Sequence, residues 1–307
     1  MNEYLLPSVQ LKYSPFNWMD IRYAYTQTLA RPDFHQLSPK YTMSTDFKNV
    51  WAGNPDLKPA RSLNNDLMLT FYGNKLGLLS LGVFAKTIKD FTYFTRYQLY
   101  DSTTAGLRTL DSFQPWEPYP GAWLNTYLNT PYDAYVKGIE FDFQTRFWYL
   151  PAGLDGVVLG INYTKIESEA TYPLRDTKTL WQPFPLPPIT YTIDSTRTGR
   201  LIHQPNDILN AYIGYERGGF SARVSFLFQG NAVSYIGAFP EQDGYTQDYF
   251  RIDASARQKL PVLGAEIYLD CSNLNSATNA SAQRSIDGFT SEKHYGLTAN
   301  LGIRFKL

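Results

Sequence analysis

The carboxy-terminal segment constrains the fold more than any other stretch of the chain. Tyr295, Leu297, Ala299, Leu301, Ile303, Phe305 and Leu307 alternate with His294, Gly296, Thr298, Asn300, Gly302, Arg304 and Lys306. Side chains alternate faces along a strand, so the pattern predicts one strand of about 13 residues with an apolar and a polar face. Strands in soluble proteins run about five or six residues, whereas a tilted strand that crosses a membrane needs about nine to eleven. A chain with many such segments is directed toward an antiparallel transmembrane β-barrel.

The pattern recurs upstream. Met19, Ile21, Tyr23 and Tyr25 alternate with Asp20, Arg22, Ala24 and Thr26, and Leu63, Leu67, Leu69 and Phe71 with Asn64, Asp66 and Thr70. Ile139, Phe141, Phe143 and Phe147 oppose Glu140, Asp142, Gln144 and Arg146. Phe220, Ala222, Val224, Phe226 and Phe228 oppose Ser221, Arg223, Ser225 and Gln229, and Phe250, Ile252, Ala254 and Ala256 oppose Arg251, Asp253, Ser255 and Arg257. The charged second face suits a water-filled or plugged lumen. Counting all such segments predicts about eleven strands, beginning near positions 5, 18, 63, 78, 134, 157, 206, 220, 249, 264 and 293. No helical period of comparable strength is present.

The connections give independent support. Short turns at Ser14–Asn17, Gly73–Gly77, Leu150–Gly156, Arg217–Gly219 and Leu260–Leu263 alternate with long segments near 30–62, 91–133, 168–205, 231–248 and 276–291. In an up-and-down sheet every second connection lies at the same end, so all short turns fall at one end and all long loops at the other. That is the asymmetry of an outer-membrane barrel with extracellular loops. A soluble β-sandwich or propeller also alternates, but with shorter strands and little use for five long loops on one side. Lys137 and Lys165 fall on the apolar phase, near the long-loop ends, where a lysine can snorkel to the headgroups.

Composition removes other classes. With 28 Lys+Arg against 28 Asp+Glu there is no basic excess, which argues against a nucleic-acid partner. One cysteine, Cys271, permits neither an internal disulfide nor a Cys-based zinc site; it sits on the lipid-facing phase, in a small apolar role. The mean hydropathy of -0.34 and the lack of an apolar run of about 18 residues exclude helical spans but not a barrel. Met1 to Pro7 carries no secretory signal, so an exported protein would lack its start in this chain.

Three motifs resemble the TonB-dependent receptors of the Gram-negative outer membrane. Arg22-Tyr23-Ala24-Tyr25-Thr26-Gln27-Thr28-Leu29-Ala30-Arg31-Pro32 is similar to the strand end that precedes a long extracellular loop in that family. Gly53-Asn54-Pro55-Asp56-Leu57-Lys58-Pro59 resembles its signature at the return from that loop, where Gly and Asn-Pro turn the chain and Pro59 precedes a strand. Asp270, Asn273, Leu274 and Asn275 resemble its Asp-x-x-Asn-Leu-x-Asn near the penultimate strand. The chain departs from the family at Ala60, where an acidic residue is usual, and at its Arg304-Phe305-Lys306-Leu307 end, where a terminal aromatic is usual. The resemblance implies the second half of a 22-stranded barrel, residues 1–307 forming one partial barrel domain. It also implies a plug domain outside this chain, a TonB-type energy-coupling protein acting through that plug, and the barrel-assembly machinery and outer-membrane lipid as partners.

No segment resembles a phosphate-cradling loop, and Gly-x-Ser-x-Gly is absent. His35, His203 and His294 are far apart, the first two expected in loops and the third at a strand start, so no enzyme, metal site or cofactor is expected. Asp66, Glu140, Asp142, Asp253, Glu266 and Asp270 face the expected lumen with Arg22, Arg146, Arg223, Arg251 and Arg257, as an ion-pair network that lines the wall. Segment 91–133 is rich in aromatics and prolines, and so is 168–205. Aromatics stiffened by prolines offer rigid stacking surfaces for a small-molecule or oligosaccharide ligand, and loops on a rigid scaffold are where binding resides. Trp116, Tyr119, Trp123, Tyr127, Trp181 and Phe184 are the candidate contacts. The expected function is energy-coupled uptake of a scarce nutrient of the siderophore-iron, glycan or cobalamin class. A passive porin or adhesin-like barrel is the alternative, and an outer-membrane barrel enzyme is a more distant one.

Overall fold

The computed structural model describes residues 4–46, 48–98, 122–261 and 264–305. In chain order, β1 (Ser8–Phe16) and β2 (Met19–Ala30) form a hairpin, followed by a short helix α1 (Phe34–Leu37) and strands β3 (Tyr41–Met43) and β4 (Asn49–Ala52). Next come β5 (Ala60–Gly73), β6 (Gly77–Lys89), β7 (Thr92–Gln98), β8 (Trp123–Asn129) and β9 (Ala134–Arg146). Strand β10 (Val157–Leu180) is the longest, at 24 residues, and turns back as β11 (Ile189–Gly199). Then β12 (Asp207–Arg217), β13 (Phe220–Gln229), β14 (Ala232–Tyr235), β15 (Gly244–Thr246) and β16 (Tyr249–Lys259) lead to β17 (Ala265–Ser272), β18 (Thr278–Gln283), β19 (Ser291–His294) and β20 (Thr298–Phe305).

Eleven of these form one antiparallel wall in the order β1-β2-β5-β6-β9-β10-β12-β13-β16-β17-β20. The register explains the sequence pattern. One row across the wall reads Met19–Phe71–Leu79–Phe143–Ile161–Ala211–Phe226–Ile252, and the adjacent row on the other face reads Asp20–Thr70–Ser80–Asp142–Asn162–Asn210–Leu227–Arg251. Alternation along each strand thus becomes an apolar outer sheet face and a polar inner one. On β13 the apolar face carries five successive positions, Phe220 to Phe228. At about 3.4 Å per residue and a tilt of about 40°, these cover about 20 Å of height, close to the roughly 25 Å band of a membrane barrel. No helix among the described residues is long and apolar enough to cross a membrane.

Of the charges expected as an inner-face network, several pair locally, while Asp66, Glu140 and Glu266 form no ion pair among the described residues. Asp20 is buried and accepts from Lys12, Arg22 and the Ser14 hydroxyl at 3.0, 3.3 and 2.6 Å. Arg251 pairs with Asp253 at 3.0 Å, and Asp142 accepts from Gln144 and Asn162. Gly160 faces Tyr212 across the β10–β12 pair, and a Cβ there would lie 2.2 Å from the tyrosine ring, so only glycine lets the ring lie flat on the strand. Arg223 then stacks on that ring, its guanidinium carbon 4.2 Å from the centroid.

The final strand differs from the sequence expectation. It does not run unbroken through about 13 residues: Ser291–His294 pairs with β18, and the wall strand itself starts at Thr298. Gly296 breaks the run in the left-handed region at φ 67°, and its carbonyl accepts from Asn273 Nδ2 at 3.0 Å. His294 therefore ends the short β19 and does not open a wall strand. The long connections are also more regular than loops. They build two four-stranded sheets, β14-β15-β18-β19 and β3-β4-β8-β7, and the β10–β11 hairpin runs eleven register pairs beyond the wall, from Ala170↔Gly199 to Leu180↔Ile189.

Candidate functional site

All long connections meet at one end of the wall, and the buried core lies there. Val50, Ala52, Phe91, Tyr93, Leu124, Leu128 and Tyr172 pack together with Ala122, Ala134 and Ala170. Phe91, Tyr93 and Tyr172 meet edge-on or tilted, with centroids 5.6 to 6.2 Å apart. The sequence of β8 places Leu124, Thr126 and Leu128 into this core, leaving Trp123, Asn125, Tyr127 and Asn129 on the opposite face. Tyr172 is 1% exposed; its hydroxyl donates to the Arg200 carbonyl and accepts from the Ile202 N–H, both at 2.9 Å. Burial pushes its pKa up to about 12, the Ile202 bond opposing the rise.

The return from the first long connection is a latch. A Cβ at Gly53 would stand 2.1 Å from the Ser38 carbonyl oxygen and 3.0 Å from those of Gln36 and His35, so the chain passes the end of α1 only as glycine. Asn54 is 2% exposed; its Oδ1 accepts from the Asp56 N–H at 3.0 Å and its Nδ2 donates to the Tyr127 carbonyl at 3.1 Å. Pro55 and Pro59 bracket this turn, Leu57 is buried, and the Lys58 N–H donates to Asn129 Oδ1 at 2.7 Å while Asn129 Nδ2 donates to the Lys58 and Asp90 carbonyls. The motif fastens β5 to β8.

A second clamp had no counterpart in the sequence reasoning. Arg197 on β11 holds Asp243 in a two-pronged ion pair, both N···O distances 2.8 Å, and also donates to the Gly237 carbonyl at 2.6 Å. The bonds to Asp243 raise the guanidinium pKa above its ordinary value, burial opposing them. Asp243 further accepts from the Gly237 N–H at 2.9 Å, and its backbone carbonyl accepts from the Arg284 N–H at 3.1 Å. Three connections are joined through one residue, Asp243. No sequence signal exists for a pair 46 residues apart.

At the other motif, Asn275 continues the sheet with its side chain: Oδ1 accepts from the Ile252 N–H at 3.0 Å and Nδ2 donates to the Phe250 carbonyl at 2.8 Å. Asn273 takes φ 61°, and its N–H donates to Asp253 at 2.9 Å. The Leu274 N–H donates to the Ile252 carbonyl at 2.8 Å, and Asp270 approaches Arg257 at 4.0 Å. The motif ends β17 and starts the last connection.

Of the six candidate ligand contacts, Trp116 and Tyr119 lie outside the described residues. Trp123 and Tyr127 share the half-buried face of β8, where Arg96 stacks on Trp123 at 4.6 Å and Tyr127 meets His35 and Phe94 edge-on at 5.7 and 5.6 Å. Trp181 and Phe184 stand at the tip of the β10–β11 hairpin, 79% and 99% exposed. No ring contact joins the two pairs among the described residues. Within the cap, a cavity of about 40 Å³ between Tyr93, Tyr172, His203 and Tyr235 has room for about one water. Among the described residues no group of three or more potential ligands could hold a metal ion.

A wall with an apolar outside, a charged inside and every long connection packed at one end matches a known barrel family: the model of the TonB-dependent receptor-like β-barrel spans residues 2–274. The chain belongs to the TonB-dependent receptors. Solved structures share this receptor fold. A mutant ferric enterobactin receptor of Pseudomonas aeruginosa in complex with enterobactin is 15% identical, with a TM-score of 0.58 over 97% of this chain and 40% of its own. The siderophore receptor PirA from Acinetobacter baumannii is also 15% identical, with a TM-score of 0.53 over 88% of this chain and 37% of its own. The copper transporter OprC is 13% identical, with a TM-score of 0.58 over 97% of this chain and 38% of its own. The chain thus spans about two fifths of the length of these TonB-dependent receptors. No curated protein matches its sequence.

Proposed function

We propose that this TonB-dependent receptor chain supplies part of the wall and the outer loops of an outer-membrane transporter that captures a scarce nutrient and admits it through the barrel. The nutrient belongs to the siderophore-iron, glycan or cobalamin class. The observation that carries the reading is sidedness: an apolar outward face, a charged inward face and a single packed cap at the long-connection end. The inward charges, from Asp20 to Arg251, solvate a lumen and offer docking partners for a plug domain, through which a TonB-type protein supplies energy. Residues 1–307 act as one partial barrel domain. Eleven antiparallel strands leave β1 and β20 running in the same direction, so these two edges cannot pair antiparallel with each other. An odd number of further strands would close the wall and remove the unpaired edges that lipid cannot tolerate. The barrel-assembly machinery would insert the whole.

Ligand capture falls to the aromatics of the cap. Trp181 and Phe184, flanked by Pro183, Pro185, Pro187 and Pro188, present rigid apolar surface at the most exposed point, with Trp123, Tyr127, Trp116 and Tyr119 as further contacts. Transport would involve no bond-making by this chain. The test is uptake by a strain lacking the receptor and complemented with the intact receptor or with its Trp181→Ala/Phe184→Ala form. Ferric siderophores, cobalamin and oligosaccharides are each offered with and without a proton uncoupler. One class is expected to enter, to stop with the uncoupler, and to bind at least about tenfold more weakly to the double variant, as for two stacking contacts of about 1 kcal/mol each. Uptake indifferent to the uncoupler would refute energy coupling.

A further inference from the structure

The two ends of the outward face differ in chemistry. At the short-turn end the surface is aromatic: Phe16, Trp18, Trp148 and Tyr149 are each 40–54% exposed, and Trp18 stacks on Phe16 at 5.0 Å. That is the composition of a girdle seated among simple headgroups. At the long-connection end the outward rows turn charged. Adjacent rows read Asn65–Ala85–Lys137–Glu167 and Leu63–Thr87–Tyr135–Glu169, directly above the apolar Leu67–Val83–Ile139. Ala85 and Thr87 are the smallest side chains of this grid, and over them lies a depression of about 490 Å³ bordered by Asn65, Tyr135, Lys137, Glu167 and Glu169.

Some of its polar groups are paired. Lys137 pairs with Glu167 at 3.1 Å, and Tyr23 donates to Asn65 Oδ1 at 3.1 Å. One row lower, Lys165 pairs with Asp207 at 3.2 Å, and Tyr163 donates to the same carboxylate at 2.6 Å. Three carboxylates, Glu167, Glu169 and Asp207, face two lysines, a balance that does not attract a bare phosphate. It does suit vicinal hydroxyls, which donate to carboxylates and accept from Lys137 and the Asn65 amide, while the 54% exposed Tyr135 ring offers a face for sugar C–H groups. The strip immediately below, Leu67, Val83 and Ile139, is 42–53% exposed and would lie against acyl chains. Polar depression and apolar strip together describe an amphipathic ligand.

We propose that this outward depression binds the saccharide headgroup of a glycolipid in the outer leaflet. The inference rests on the membrane placement proposed above. Receptor extracted from outer membranes in mild detergent is titrated by native mass spectrometry with four probes: a phosphorylated glycolipid bearing outer sugars, its dephosphorylated form, the free oligosaccharide, and phosphatidylglycerol. Both glycolipid forms are expected to bind alike, and the oligosaccharide and phosphatidylglycerol at least about tenfold more weakly. Ala85→Trp, which fills the depression, and Glu167→Gln/Glu169→Gln, which keeps its shape, should each weaken glycolipid binding by at least about tenfold, the equivalent of a lost hydrogen bond to a charged group. Heat-modifiable gel mobility and nutrient uptake stay unchanged. Equal binding of phosphatidylglycerol, or of the glycolipid by both variants, overturns the proposal while uptake still upholds the transporter reading. A receptor absent from outer membranes overturns both.

Discussion

Replacing Arg197 by Ala removes the clamp that ties the β10–β11 hairpin to the connection between β13 and β16. Both prongs to Asp243 and the bond to the Gly237 carbonyl are lost. The Asp243 side chain is only 6% exposed and keeps the Gly237 N–H as its partner. Leaving a buried carboxylate without its cation costs about 3–5 kcal/mol, so local opening of the cap becomes easier by a factor of at least about a hundred. The wall is not involved, because the clamp lies beyond Ala170, where β10 pairs only with β11. Amide hydrogen exchange in the assembled receptor should therefore accelerate at least about a hundredfold over residues 232–246 and 281–285, while β12 and β13 keep their protection. Arg197→Lys should recover part of the loss, since it restores charge but not the planar fork. Because Arg197 has a raised pKa, its charged form and the clamp are at full strength throughout the neutral range and weaken only as pH climbs through that pKa. The reasoning fails if wall and cap amides accelerate together, or if the cap changes by less than about threefold.

Other tests bear on separate parts of the structure. Gly53→Ala pushes a methyl to 2.1 Å from the Ser38 carbonyl oxygen, and the backbone rearrangement should cost about 1–3 kcal/mol or more, read as faster proteolysis of residues 31–59 in intact cells; an unchanged cleavage rate would contradict the latch. Tyr172 has a pKa raised from 10.0 to about 12, so the folded cap holds its proton longer than the unfolded chain. The stabilisation is complete below pH 10 and is lost as pH rises toward 12, by at most about 3 kcal/mol. Tyr172→Phe should abolish that alkaline step in cap exchange. Ala211→Arg places a charge near mid-height on the apolar face and should lower barrel stability by about 2–4 kcal/mol, whereas Asn210→Arg on the inner face should be close to neutral; equal effects in urea titrations of refolded barrel would refute the assigned faces.

The wall was legible because two solvents write its sequence. Lipid on one side and water on the other impose a strict period of two, and strand starts expected near 63, 78, 134, 157, 206, 220, 249 and 264 are found at 60, 77, 134, 157, 207, 220, 249 and 265. The pattern names a face but not a partner. Residues 291–294 continue the alternation of the last strand, yet they pair with β18, because Gly296 at φ 67° turns the chain between two sheets. Similarly, Leu124 and Leu128 alternate in β8, but nothing in that stretch announces a parallel pairing with β4, Asn49 against Trp123. In the cap, pairing is decided by burial of a few aromatics against distant strands, and such choices leave no local period.

The same contrast explains why polar residues carry the fastening of the cap. The wall has little interior of its own, so its stability comes from lipid outside and paired backbone within the sheet. The cap is surrounded by water and must be held by a small core and by bonds between connections. Asn54, Asn129, Asn275 and Asp243 each bond two or more backbone or side-chain groups, at least one of them on a distant segment, and a hydrophobic substitute would give up those ties. Two of these, Asn54 and Asn275, lie in the family motifs, and there they fasten connections to β8 and to β16. Under the proposed function, residues that touch the nutrient belong on surfaces that fasten nothing. Trp181 and Phe184, 79% and 99% exposed at the end of the β10–β11 hairpin, meet that condition. Trp123, held under Arg96, meets it less well. Substitution at the tip should therefore alter affinity without loosening the cap, whereas substitution at Trp123 should do both.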